Sequence, residues 1–263
     1  MNYKLTVITS TYNVGEEFHR TADSILSQKN NIQWIVCDGG SNEFSLSIIN
    51  KFKRDIDILI IEKDEGIYDA WNKSTKHIKS NWVVFLGSGD VLIKKNIPVL
   101  LSHLNTSKSH IIIGNLLLFN KFGDFIKKTK NELLDKRKYK NGTLNKPVNP
   151  EVIYSKKIFN SISFNIDYKI AGDTDFYIRA VNQGFSKQFI DLEISEMTLE
   201  GVSSDPLKYK IGLKELKEIN KKNNIILPFH ISFLFNLKMK LKYFVFLLIR
   251  DNVFQFFRKI LGK

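Results

Sequence analysis

The chain's 263 residues carry 40 Lys and Arg against 27 Asp and Glu, a net charge of +13, and 43% of them are hydrophobic. That balance suits one large folded domain, or a domain with an appendage, and excludes disordered, collagen-like and coiled-coil classes. A single cysteine, Cys37, excludes an intrachain disulfide and a Cys-rich zinc site and fits a reducing compartment.

Met1 to Ser10 run into a β-like apolar stretch without a charged n-region, an apolar h-region and a cleavage site, so a cytosolic chain is expected. The longest apolar run, Tyr243 to Ile249, is seven residues. A bilayer crossing needs about 20, so no transmembrane helix is predicted.

In chain order, strands are predicted at Leu5 to Thr9, Gln33 to Cys37, Ile56 to Ile61, Trp82 to Leu86 and His110 to Ile113. Helical patterns lie between them at Glu16 to Gln28, Phe44 to Phe52, Ile67 to Ile78 and Ile97 to Leu104. This alternation implies βαβ units, an α/β class and a mainly parallel central sheet flanked by helices. Right-handed crossovers then put the strand ends on one edge, where open α/β sheets bind ligands. The first four strands end in Ser10-Thr11-Tyr12-Asn13, Asp38-Gly39-Gly40-Ser41, Glu62-Lys63-Asp64-Glu65-Gly66 and Gly87-Ser88-Gly89-Asp90. Each exit alone reads as a turn or cap; four on one edge point to a site.

From Leu116 to Lys146 the alternation fades into a Lys- and Asn-rich stretch, expected to be a solvated loop with short strands. Helices return at Asp173 to Asn182, closed by Gly184, and at Lys208 to Lys221. Beyond Pro228 lies a basic, aromatic tail: residues 221–263 hold nine Lys or Arg, one Asp and eight of the 20 Phe. Such a helical extension suits an anionic membrane surface, or else docks on the main domain with its lysines in water. The resulting division is an α/β half over 1–115, an acceptor-side half of the same domain over 116–222, and the tail over 223–263.

Two carboxylates stand where chemistry would need them. Asp90 ends an apolar strand and has glycines beside it, so a charged ligand could approach the backbone closely. A lone carboxylate there reads either as a turn residue or as a ligand for Mg²⁺ or Mn²⁺, which take one or two protein oxygens and complete their shell with phosphates and water. Asp173 opens a helix, where it reads as an N-cap or as a general base. Asp175, two residues on, points in another direction, so at most one of the pair faces a reacting atom.

Taken together, Thr6 to Asn13, Ser24 to Gln28, Val36 to Ser41, Asp64 to Lys73 and Phe85 to Asp90, with a further match at Ile170 to Arg179, resemble the family-2 glycosyltransferases. The Gly66-Ile67-Tyr68-Asp69-Ala70 stretch is most similar to the branch that builds bacterial capsule, exopolysaccharide and lipopolysaccharide O-chains. The resemblance implies the GT-A fold, a nucleotide-sugar donor (a UDP-sugar), a divalent metal (Mn²⁺ or Mg²⁺) and an inverting transfer to a glycan or lipid-linked acceptor. It implies that Ser10, Tyr12 and Asp38 hold the base and ribose, and that Asn13, Asp64, Asp69 and Asn72 line the donor site. Ile67, Ala70 and Trp71 of the same helix are expected in the core. Asp90 matches the metal carboxylate of the family's Asp-x-Asp-like motif, and Asp173 the presumed base of its Glu-Asp pair.

The chain departs from the family pattern in three places. Ser88 and Gly89 leave Asp90 as the sole acid of its motif, Gly172 replaces the glutamate before the base, and Asn149-Pro150 stands where relatives carry a His-Gln pair. The expected setting is the inner face of the cytoplasmic membrane, reached peripherally. Two other functions compete. A sugar-phosphate nucleotidyltransferase would want a Gly-rich basic phosphate loop after the first strand, where this chain has Ser-Thr-Tyr-Asn. A nucleic-acid binder would want a recognised module beside its charge, and none is present, so no nucleic-acid partner is expected.

Overall fold

A computed structural model of the chain describes residues 3–120, 123–129, 149–198 and 209–226, with short segments at 139–140, 143–144, 147 and 237. In chain order the elements are β1 (Leu5–Thr11), α1 (Glu17–Leu26), β2 (Ile32–Asp38), α2 (Glu43–Asn50), β3 (Ile58–Ile61), α3 (Ile67–Thr75), β4 (Trp82–Gly87), β5 (Val91–Leu92) and α4 (Ile97–Thr106). There follow β6 (Ile111–Phe119), β7 (Phe125–Lys128), β8 (Tyr139–Lys140), β9 (Thr143–Leu144), β10 (Val152–Ser155), α5 (Gly172–Asn182), β11 (Lys187–Thr198) and α6 (Tyr209–Lys222).

The main sheet runs β3-β2-β1-β4-β10-β6-β11-β5, with β7 paired to β6. Its first four strands are parallel, as the βαβ reading requires. The second half differs from a purely parallel sheet because β10 inserts antiparallel between β4 and β6. The sheet is continuous through β6, which crosses residue 115. The stretch from 116, expected as a loop with short strands, carries the end of β6 and then the short strands β7, β8 and β9. The tail expected over 223–263 lies outside the described residues except at 223–226 and 237.

Alternation along each strand sends successive side chains to opposite faces. One face gathers Leu5 and Val7 of β1, Trp34 and Val36 of β2, and Val84 and Leu86 of β4 under Phe18, Ile25, Ile48, Ile49 and Leu100 of α1, α2 and α4. The other gathers Ile8, Ile35, Val83 and Phe85 under Tyr68 and Trp71 of α3, Phe176 and Ile178 of α5, and Ile219 of α6. Helices therefore cover both faces.

The second face is joined by aromatic rings. Phe164, on the irregular segment before α5, stacks on Phe176 with centroids 4.1 Å apart and lies 5.0 Å from Trp71 and 5.3 Å from Phe85. Asn72 of α3 fixes the same residue by its backbone: its Nδ2 donates to the Phe164 carbonyl at 2.8 Å, and its Oδ1 accepts the Phe164 N–H at 2.9 Å. Replacing Asn72 by Ala strands both backbone groups and is expected to lower stability by about 1–3 kcal/mol, read as a shift in the urea midpoint. An unchanged midpoint would mean that ring packing alone joins the two halves.

Candidate active site

The parallel register brings the exits level. Ser10 pairs with Cys37 on one side and Gly87 on the other, Thr11 pairs with Asp38, and Asp38 with Ile61. All four polar exits thus lie along one edge of the sheet.

Asp38 is fully buried, and its carboxylate accepts four hydrogen bonds: Gly40 and Ser41 N–H at 3.1 and 2.8 Å on Oδ1, and the Thr11 and Ser41 hydroxyls at 2.9 and 2.6 Å on Oδ2. Four acceptor positions are about what a carboxylate has, so Asp38 shapes the exits of β1 and β2 from behind. Asn13 continues the latch. It takes a left-handed conformation at φ 50°, its N–H donates to Ser41 Oγ at 2.7 Å, and its Oδ1 accepts the Asn42 N–H at 3.0 Å. Tyr12 between them is 66% exposed, with its ring open to a ligand. Ser10 Oγ accepts the Trp71 indole N–H at 3.2 Å, which leaves its own proton to donate.

Asp64 stands across from this latch. Its Oδ1 accepts the Gly66 N–H at 2.9 Å, while a Cβ on Gly39 would lie 2.5 Å from its Oδ2. A side chain at 39 would push that carboxylate aside. Asp69 is held by Lys73 at 3.0 Å and by the Glu65 N–H at 3.1 Å; burial raises its pKa, and these two contacts outweigh that effect and hold it low. Of the residues expected to line the donor site, Ser10, Tyr12, Asn13 and Asp64 lie at the exits. Asp38 and Asn72 have their polar atoms bonded within the protein, and Asp69 is bonded through Oδ2. Ala70 and Trp71 are in the core as expected, but Ile67 is 39% exposed, because it opens the helix at the site edge.

Asp90 closes a tight turn after β4. Its N–H donates to the Gly87 carbonyl at 3.1 Å, its Oδ2 accepts the Gly87 N–H at 2.8 Å, and Gly89 between them takes φ +90°. Thr21 of α1 braces the turn, donating to the Asp90 carbonyl at 2.7 Å and accepting the Gly89 N–H at 2.9 Å. Burial pushes the Asp90 carboxyl up to about 7, against the lowering effects of the Gly87 amide and the Arg20 charge. Among the described residues no group of three His, Cys, Asp or Glu gathers around a point. The donor set therefore fits a hard divalent cation in one form only, with Asp90 giving a single carboxylate ligand and the remaining oxygens coming from a diphosphate and water. Beside it Ser88 Oγ, and on the approach to β10 Asn149 Oδ1, are buried without a hydrogen-bond partner among the described residues.

Asp173 sits in the first turn of α5, half-buried, with Oδ1 accepting the N–H of Thr174 at 2.7 Å. Of the two readings of Asp173, the N-cap is not its place, because the N-cap is Ala171. Glu215 of α6 takes the amides that precede the helix, a contact that sequence reading missed. Its signal was present in the buried stripe Gly212, Glu215 and Ile219 at spacings of three and four. Asp175 is buried and paired with Arg179 at 2.7 Å, so its carboxylate is already engaged. Gly172 has a steric reason, since a Cβ there would lie 2.6 Å from the Tyr68 ring, whose hydroxyl donates to the Ile170 carbonyl at 2.9 Å. That close contact sets the first turn of α5, with Asp173, against the first turn of α3, next to the β3 exit.

The family model described as Glycosyl transferase family 2 matches residues 6–186. A PGL/p-HBAD biosynthesis glycosyltransferase of Mycobacterium bovis is 25% identical over 223 residues, covering 80% of this chain and 83% of that protein. The Escherichia coli UDP-Glc:alpha-D-GlcNAc-diphosphoundecaprenol beta-1,3-glucosyltransferase WfaP is 30% identical over 121 residues, 45% of this chain and 48% of its own. Among solved structures, the mannosyltransferase PcManGT of Pyrobaculum calidifontis, in complex with GDP-Man and Mn²⁺, superposes with a TM-score of 0.62 at 14% identity, over 87% of this chain and 66% of that one. At that identity the likeness is one of fold.

The Asp90 carboxyl has a stability consequence with a definite sign. Its folded pKa of about 7 lies above the ordinary 3.8, so between those values the folded protein holds a proton that the unfolded chain has released. Stability without divalent cations is expected to fall as pH rises through that window and to level off above it. Asp90→Asn should remove this part of the slope, measured as urea midpoints at pH 5 and pH 8 with a chelator present. The same slope in both proteins would place the titration elsewhere.

Proposed function

The chain belongs to glycosyl transferase family 2, and we propose that it moves a sugar from a UDP-sugar donor to a hydroxyl of a glycan or lipid-linked acceptor, inverting the anomeric centre, in the synthesis of a surface polysaccharide. The observation that carries this reading is the meeting of four polar strand exits with two carboxylates, Asp90 after β4 and Asp173 at the head of α5. The nucleotide lies over the exits of β1 and β2, with Tyr12 open to the base and the latch around Asp38 fixing the loop. Asp173 accepts the proton of the acceptor hydroxyl, and attack from the side opposite the nucleotide inverts the sugar. A divalent cation held by Asp90 supplies charge neutralisation for the departing diphosphate when bound. Support comes from WfaP, whose name states a UDP-sugar donor and a diphosphoundecaprenol-linked acceptor, and from PcManGT, which holds a nucleotide sugar with Mn²⁺.

Among the described residues no helix is long and apolar enough to cross a membrane. The lysines and phenylalanines of the tail support peripheral contact with the inner face of the cytoplasmic membrane, where a lipid-linked acceptor is held.

The first test is a screen of nucleotide sugars for protection against thermal unfolding and for transfer, with and without Mn²⁺. Asp173→Asn should keep donor protection and lose transfer by roughly 10²- to 10⁴-fold. Wild-type turnover in that variant, or a product whose NMR spectrum shows retained configuration, would end the mechanism. For the tail, removing residues 229–263 should abolish co-sedimentation with anionic vesicles at low salt while sparing UDP binding. Full-length protein that ignores such vesicles would end the membrane proposal.

A further inference from the structure

The first turn of α5 is held from outside its own helix. Glu215 of α6 is 7% exposed, and its carboxylate accepts three successive backbone amides: Lys169 N–H at 2.7 Å on Oε1, with Ile170 N–H at 2.9 Å and Ala171 N–H at 2.7 Å on Oε2. These amides end at the N-cap, and the helix begins at Gly172, one residue before Asp173. A row of backbone donors at the positive end of a helix is an anion site. Here the anion is a side chain of the same protein, and its charge strengthens each hydrogen bond.

The rest of the surroundings limits how this segment can move. Gly212 of α6 lies against Ile170, where a Cβ would come 3.2 Å from Ile170 Cγ2. The Lys169 ammonium donates to the Glu65 carbonyl at 2.7 Å, on the loop between β3 and α3, and to the Ile166 carbonyl at 3.0 Å. Arg179 reaches from Asp175 to the Ser163 carbonyl at 2.8 Å. Each of these fixes one flank, and the Tyr68 hydroxyl holds the Ile170 carbonyl, while Glu215 takes the three amides that lead directly into the turn carrying Asp173.

We propose that Glu215 is a positioning residue for transfer: its carboxylate, held by the amides of residues 169–171, sets the orientation of the first turn of α5 and so aims Asp173 at the acceptor hydroxyl. The inference rests on the reading of Asp173 as the base. Its physical basis is that the neutral amide of Gln has one acceptor oxygen where the carboxylate has two, and would turn an NH₂ toward a backbone donor. Glu215→Gln keeps the size of the side chain, so the core under α6 keeps its packing.

The test compares wild type, Glu215→Gln and Asp173→Asn. The readouts are UDP binding with Mn²⁺, hydrogen exchange at the amides of 169–171, and steady-state UDP release from UDP-glucose and UDP-GlcNAc with acceptor. In Glu215→Gln, the three amides should lose protection and kcat should fall about 10²-fold, as for a small misplacement of a catalytic group, while donor KM and UDP binding stay at wild-type values. A merely structural role would lower melting temperature and UDP binding together and leave kcat per folded molecule unchanged; that result overturns the proposal. Unchanged amide protection overturns it too. Asp173→Asn separates the two ideas, because wild-type turnover in that variant removes the base assignment, whereas full loss there with wild-type kcat in Glu215→Gln removes only the positioning role.

Discussion

Phe164 is the residue through which the two halves of the molecule become one. Its ring stacks on Phe176 of α5 and meets Trp71 of α3 and Phe85 of β4, while its backbone is clamped by both polar atoms of Asn72. Ring pairs of this kind contribute about 0.5–1.5 kcal/mol each beyond their buried area. The greater effect is geometric, because a stacked ring and a two-point backbone clamp together leave the segment before α5 little freedom to slide. The base candidate on α5 is thereby referred to the same sheet that carries the donor-side loops.

The acidic residues at this edge divide by what they already hold. Asp38, Asp69, Asp175 and Glu215 have their oxygens engaged by amides, hydroxyls or a cationic partner within the protein. These contacts shape loops and helix ends. Asp90 lacks a compensating cation close enough to offset its burial, as its raised pKa records. A buried carboxyl in that condition is stabilised by whatever positive charge comes to it, and the turn that presents it is braced by Thr21 from the opposite side.

Gly172 shows how a departure from the family pattern can be steric in origin. The Tyr68 ring fills the space that a side chain at 172 would need, and its hydroxyl satisfies the Ile170 carbonyl. The place a side chain would take at 172 is filled here by the approach of α3 itself.

The sequence by itself determined the parallel half of the sheet, the helices between its strands and the polar exits at one edge, because these follow from apolar runs, turn residues and short right-handed connections that are local in the chain. It also singled out Asp90 and Asp173. Only the tertiary structure decided that β10 and β11 complete the sheet: β10 is four residues reached after a long connection, and the alternation of β11 breaks at Glu196, with irregular register along its length, so its pairing is set by its partners. The same holds for the partners of Asn72, Asp38 and Glu215. A polar residue in a motif reads alike whether it meets a ligand or a backbone amide 44 or 92 residues away in sequence, and that choice is made by which chain segments pack together, not by the residue's own neighbours.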